Sequence, residues 1–153
     1  MKNVKFLLSA ALVFLASAAL AQDFSAPQYA KWGATPEERE QNILNSNFLK
    51  ESCDNRDYDA AAHYLKGLID KIPDAAESIY QRGAVVYKNK INRAKSVAEK
   101  NMFIDSLMLM YDMRAQYFGD NVKPGKTAFI LDQKAREFLR YKPNDRKGIR
   151  EAF

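Results

Sequence analysis

The sequence predicts an all-α protein built as antiparallel helix hairpins, with five helices and a truncated sixth. Three observations carry this reading. No strand candidate occurs anywhere in the chain. From Asn55 to Pro73 the sequence NRDYDAAAHYLKGLIDKIP repeats Ala61, Leu65 and Leu68 at intervals of four and three, which places them on one face of a helix. Ala61 is small where a second helix would come closest, and Leu65 and Leu68 are larger where the gap would widen. Third, Thr35, Pro36, Glu37 and Glu38 form a helix start: a hydroxyl cap, a proline in the first turn, and an acid three residues after the cap. With 153 residues, 47% of them apolar, the chain is one domain's worth and can bury a core.

Residues 1–21 are a separate object. Lys2 and Lys5 form a positive end, Phe6 to Ala19 is an apolar run broken only by two serines, and Ala19, Leu20 and Ala21 make a small-x-small site. This is the pattern of a secretory signal peptide cleaved between Ala21 and Gln22, and the run is short for a membrane anchor. Residues 22–34 carry Phe24, Tyr29 and Trp32 without periodicity and read as an extended arm whose aromatics pack on the first helix.

Residues 35–153 form the helical domain. The first helix runs from the Thr35 cap to Asp54 with Ile43, Leu44, Phe48 and Leu49 inward, and Asn55 and Arg56 turn into the second, opened by Asp57 and Tyr58 and closed by Pro73. A third spans about Ala75 to Lys90. The fourth, about Asn92 to Phe118, turns Val97, Ile104, Leu107, Leu109, Tyr111 and Phe118 inward, and four of the five methionines fill its other faces. It is apolar nearly all round from Met102 to Met113, which calls for neighbours on more than one side. Gly119 stops it, and Pro124 and Gly125 turn into a fifth helix, Lys126 to Tyr141, which buries Phe129, Ile130 or Leu131, Ala135 and Phe138. A sixth begins after Pro143 and spans Arg146 to Phe153, less than three turns.

The whole chain carries a net charge of +5, and without Lys2 and Lys5 about +3. That is too weak for a nucleic-acid footprint, so nucleic acid is not an expected partner. Cys53 is the one cysteine and has no internal disulfide partner; its place among Leu49 and Ser52 reads as a small packed residue.

The spacing of Ala61, Leu65, Leu68 and Pro73 resembles the second helix of a tetratricopeptide (TPR) hairpin, in which a small residue, two larger apolar residues and a proline fall at these offsets. In a 34-residue frame beginning at Asn42 and again at Ala76, Gly83 takes the small eighth position and Ile79 and Val86 the large fourth and eleventh. The first helix departs from that pattern, with Leu49 at the eighth position and Ser52 at the eleventh. The string IDSLMLMYDMRAQYFGD, Ile104 to Asp120, with GKTAFILDQKAREFLRYKP after it, resembles exported TPR-containing proteins of the Bacteroidota, in which a YDxRxxYFG-like helix end precedes another hairpin. The resemblance implies a right-handed stack of hairpins, a TPR-like α-solenoid, located in the cell envelope, with no activity attached. It also implies a peptide groove lined by Lys50 of the first hairpin and Glu77, Tyr80, Ala84 and Tyr87 of the second. The two tyrosines would make an amphipathic shelf; core packing is the competing role for both.

Other constellations are weaker. Gly119 to Thr127, GDNVKPGKT, separates its glycines by five residues where a phosphate-binding loop needs four, and it follows a helix. Asp54, Asp57 and Asp59 lack the glycine and terminal glutamate of a calcium loop, so capping is expected. His63 is the one histidine and lies on the far side of its helix from Leu65. Asp105 and Asp112 share a helix face as a carboxylate pair would, yet no nucleophile or pocket accompanies them, and interhelical pairing is expected.

These readings predict a periplasmic or secreted TPR-like scaffold that binds a protein or peptide, without catalysis or cofactor. The alternative is a glycan or cell-wall binding module, since exposed tyrosines also suit sugar stacking. Because hairpins in such stacks bury their faces on neighbours, the short sixth helix predicts that the chain continues in a longer protein or self-associates through its C-terminal helix.

Overall fold

A computed structural model describes residues 22–152, with side chains through residue 150, so the expected signal peptide lies outside the described residues. All regular elements among them are helical. A 3-10 helix, Pro27–Trp32, precedes α1 Pro36–Asp54, α2 Tyr58–Lys71, α3 Glu77–Arg93, α4 Val97–Phe118, α5 Lys126–Tyr141 and α6 Arg146–Ala152. Each α-helix packs against the next, and α1 also reaches α3.

The amino-terminal arm is not extended. Pro27, with its φ already restricted, opens the 3-10 helix. The Arg39 guanidinium of α1 then donates to the carbonyls of Phe24, Ser25, Gly33 and Ala34. Trp32 packs against the core as expected for an arm aromatic, and its carbonyl accepts from the Asn42 amide at 2.8 Å.

Cap chemistry sets the helix starts. Thr35 Oγ1 accepts from the Glu38 N–H at 3.2 Å, and the Glu38 carboxylate accepts from the Ala34 N–H at 2.9 Å. Asp57 accepts from the Ala60 N–H at 3.1 Å and starts α2 after Arg56, whose φ of 59° makes the turn. The expected boundary between the third and fourth helices is wrong: α3 continues to Arg93, and α4 starts only at Val97. Ser96 and Glu99 fix this break with a second reciprocal cap, the Ser96 hydroxyl accepting from the Glu99 N–H and the Glu99 carboxylate from the Lys95 N–H.

Two cores hold the helices. The first joins α1 to α4 around Leu49, Ala61, Leu65, Leu68, Ile79, Tyr80 and Val86, with Met110 and Phe118 supplied by α4. The second joins α3, α4 and α5 around Ile91, Ile104, Leu107, Met108, Tyr111, Ile130 and Phe138. Helix α4 therefore does have apolar neighbours on more than one side. At the α3–α4 contact, a Cβ on Gly83 would stand 2.6 Å from Met110 Sδ and 3.2 Å from Leu65 Cδ1. Its absence lets the thioether fill the gap. The short α6 packs on α5, where Ile149 borders the second core.

Several inward assignments change. On α1 the buried face is Asn42, Ser46 and Leu49, with Ile43 and Phe48 half-buried and Leu44 exposed. Asn42 can lie inward because the Trp32 carbonyl meets its amide. On α4, Met108 and Met110 point into the two cores, so Leu109 between them is turned outward, and Val97 and Met102 are also exposed. Phe129 is exposed as well, while Ile130, Ala135 and Phe138 are buried.

Candidate functional site

Helices α3 and α5 both rest on α4 and leave a cleft of about 300 Å³ between them. From α3 it is lined by Gln81, Val85 and Lys88, spaced to share one face, with Tyr80 and Ala84 at their base. Gln133, Arg136, Glu137 and Arg140 form the opposing face of α5, and Met110, Tyr111 and Arg114 of α4 make the floor.

Glu137 is the buried centre of this cleft, 9% exposed. Its Oε1 lies 2.7 Å from Lys88 Nζ. Burial alone would depress the Lys88 ammonium, but Glu137 and Tyr111 outweigh it and hold the lysine above its ordinary pKa. Burial pushes the Tyr111 phenol up. Glu137 Oε2 is buried without a hydrogen-bond partner, and Arg140 Nη1 stands 3.6 Å from it, too far for a hydrogen bond. Arg136 pairs with Asp132 on the exposed side of α5 at 2.8 Å.

A second charged group ties the three helices together. Glu77 Oε1 accepts from Arg114 Nε at 2.9 Å and Oε2 from Lys126 Nζ at 2.6 Å, while Arg114 Nη1 donates to Gln133 Oε1 at 2.9 Å. Burial would raise the Glu77 pKa, but the Lys126 and Arg114 contacts outweigh it and lower the value.

The expected groove residues do not come together. Tyr80 is 1% exposed, its hydroxyl donating to the Pro73 carbonyl at 2.7 Å and its ring stacked on Tyr117 at 6.3 Å, so it is core and not shelf. This saturation of the hydroxyl is what permits its burial. Tyr87 is half-buried against Phe103 and borders a different groove, between α2 and α4. The two tyrosines thus share no surface. Ala84 lies in the cleft, Glu77 is committed to its ion pairs, and Lys50 is on α1, paired with Asp54 at 2.6 Å and outside the cleft. Lys88, Gln133, Arg136, Glu137 and Arg140 were not anticipated. The signal for the four on α5 was the polar spacing of three, four and seven over residues 133 to 140.

The weaker candidates resolve into structure. Asp57 caps α2, as expected, whereas Asp54 and Asp59 pair with Lys50 and Lys90. Asp105 meets Lys142, just past the end of α5, at 3.4 Å, and Asp112 meets Lys134 of α5 at 2.6 Å, the interhelical role expected of them. His63 is exposed beside Tyr64. Cys53 packs against the first core, where burial pushes its thiol pKa up. Between α4 and α5 the loop closes on itself: Asp120 N–H donates to Thr127 Oγ1, and Thr127 N–H to Asp120 Oδ1.

Chemically, the cleft offers cations and amide donors to an anion or a carbonyl, and one carboxylate oxygen to a donor. No protein family, curated protein or solved structure was found to match the chain.

Proposed function

We propose that this chain is an exported TPR-like scaffold of the cell envelope, a right-handed stack of helix hairpins that holds a peptide segment of a partner protein in the α3–α5 cleft, without catalysis or cofactor. The observation that carries the reading is the cleft itself: an open trough between two helices, with Gln81 and the amide nitrogen of Gln133 facing a peptide backbone and charged side chains around them. Export is supported by the sequence of residues 1–21, and the stack by the hairpin spacing around Ala61 and Gly83. The glycan reading loses its main support, because the Tyr80 ring is buried and unavailable for sugar stacking.

A photo-crosslinking residue at Val85, which lines the cleft and is exposed, tests this in cells. The expected result is a protein adduct in the envelope fraction that is absent when the same residue replaces Leu44, exposed on α1. Recovery of polysaccharide alone would overturn the proposal.

A further inference from the structure

We infer that the α3–α5 cleft selects an acidic peptide segment, with a carboxylate side chain held by Arg136 and Arg140 and a neighbouring N–H donating to the free oxygen of Glu137. This rests on the peptide reading of the cleft and adds the chemistry of the peptide. The lining holds four cations, Lys88, Arg114, Arg136 and Arg140, against one carboxylate, Glu137. Two of the cations are committed inside the protein: Arg114 to Glu77 and Gln133, and Lys88 to Glu137. The two on the α5 rim are available. Arg140 makes only the long approach to Glu137, and the Arg136–Asp132 pair is an exposed one within a single helix, weak enough to exchange for a ligand. Each guanidinium presents a planar fork that a carboxylate can accept from with both oxygens.

Glu137 supplies the second half of the recognition. A buried carboxylate oxygen without a donor is costly, and once Arg140, 3.6 Å away, turns to the ligand carboxylate, a ligand N–H taking its place would remove that cost. Because Lys88 already balances the Glu137 charge, an incoming acid is not repelled. An acidic peptide brings both complements, side-chain carboxylates for the rim and backbone N–H groups for the floor. A neutral peptide lacks the first, and a basic one meets the like charges of Arg136 and Arg140 on the rim.

The test uses the purified protein and three fluorescent peptides of one length and spacing, whose variable positions are all acidic, all amide or all lysine. Polarisation titrations should show binding of the acidic peptide and at least tenfold weaker binding of the other two. Arg140→Ala, an exposed change that should leave melting untouched, should weaken the acidic peptide about tenfold, whereas Lys66→Ala on α2 should not. Glu137→Gln separates a specific acceptor from a general field. Removing a negative charge from a basic cleft would tighten an acidic peptide if attraction alone mattered, whereas loss of the charged acceptor weakens it about tenfold. Tighter binding to Glu137→Gln, or an Arg140→Ala protein that binds normally, would overturn the inference. Equal binding of all three peptides, lost on filling the cleft by Ala84→Trp, would overturn it while leaving the peptide site intact. Binding of none would remove both.

Discussion

Ala61 has no exposed surface within the first core, and His63, two residues later on the same helix, faces solvent. Ala61→Leu should therefore lower stability by about 1 to 3 kcal/mol through overpacking, and His63→Leu by less than about 0.5 kcal/mol. Thermal melts of equal height for the two variants would contradict this packing. Glu77 gives a prediction in pH. Its pKa is lowered in the folded protein from an ordinary 4.5, so the stabilisation it supplies is present above that value and is lost as pH falls through the folded pKa. Urea midpoints of the native protein should drop as pH falls below 4.5 more steeply than those of Glu77→Gln, which lacks this contribution at every pH. Residues such as Ala61, Leu65 and Leu68 were legible in the sequence because one face of their helix is buried and one is not. Tyr80 was not, since α3 has neighbours on several sides and spacing alone does not say which side is solvent.

At the scale of elements, a capping side chain decides where a helix begins, and this explains both the agreement and the miss in helix boundaries. The first, second and fifth helices start where Thr35, Asp57 and the Pro124–Gly125 turn announce them. The break at residues 94–96 was harder to read because the stretch from Asn89 to Lys95 is polar apart from Ile91 and Ala94 and contains no glycine or proline. Only Ser96 and Glu99 mark it. Ser96→Ala should cost about 1 kcal/mol in a chemical-denaturation midpoint, with faster hydrogen exchange confined to the first turn of α4. Arg39 does for the amino-terminal segment what these caps do for helices. Removing its donors in Arg39→Ala should raise exchange over residues 24–34 while α1 keeps its protection; unchanged exchange there would show that Arg39 does not anchor the segment.

For the whole molecule, the decisive fact is that α3 and α4 each serve both cores. Leu107 is fully buried in the second core, and Leu107→Ala should cost about 2 to 5 kcal/mol. Because α4 also supplies Met110 and Phe118 to the first core, exchange should accelerate in α2 as well as α5; a loss confined to α5 would mean the cores melt separately. The cleft belongs to this scale too. It exists because α3 and α5 both pack on α4, a juxtaposition of residues about fifty apart that helical periodicity does not encode. The same helix also sorts its sulfurs by access. Met102 is 55% exposed, whereas Met108 is 8% and Met110 4%, the last with its thioether against Gly83. Peroxide should therefore turn Met102 into its sulfoxide first, placing a polar oxygen in water and leaving the melt unchanged, while Met110 is oxidised only in molecules whose core has opened. Oxidant would then be spent at the surface of α4 before it could reach the α3–α4 contact inside the first core.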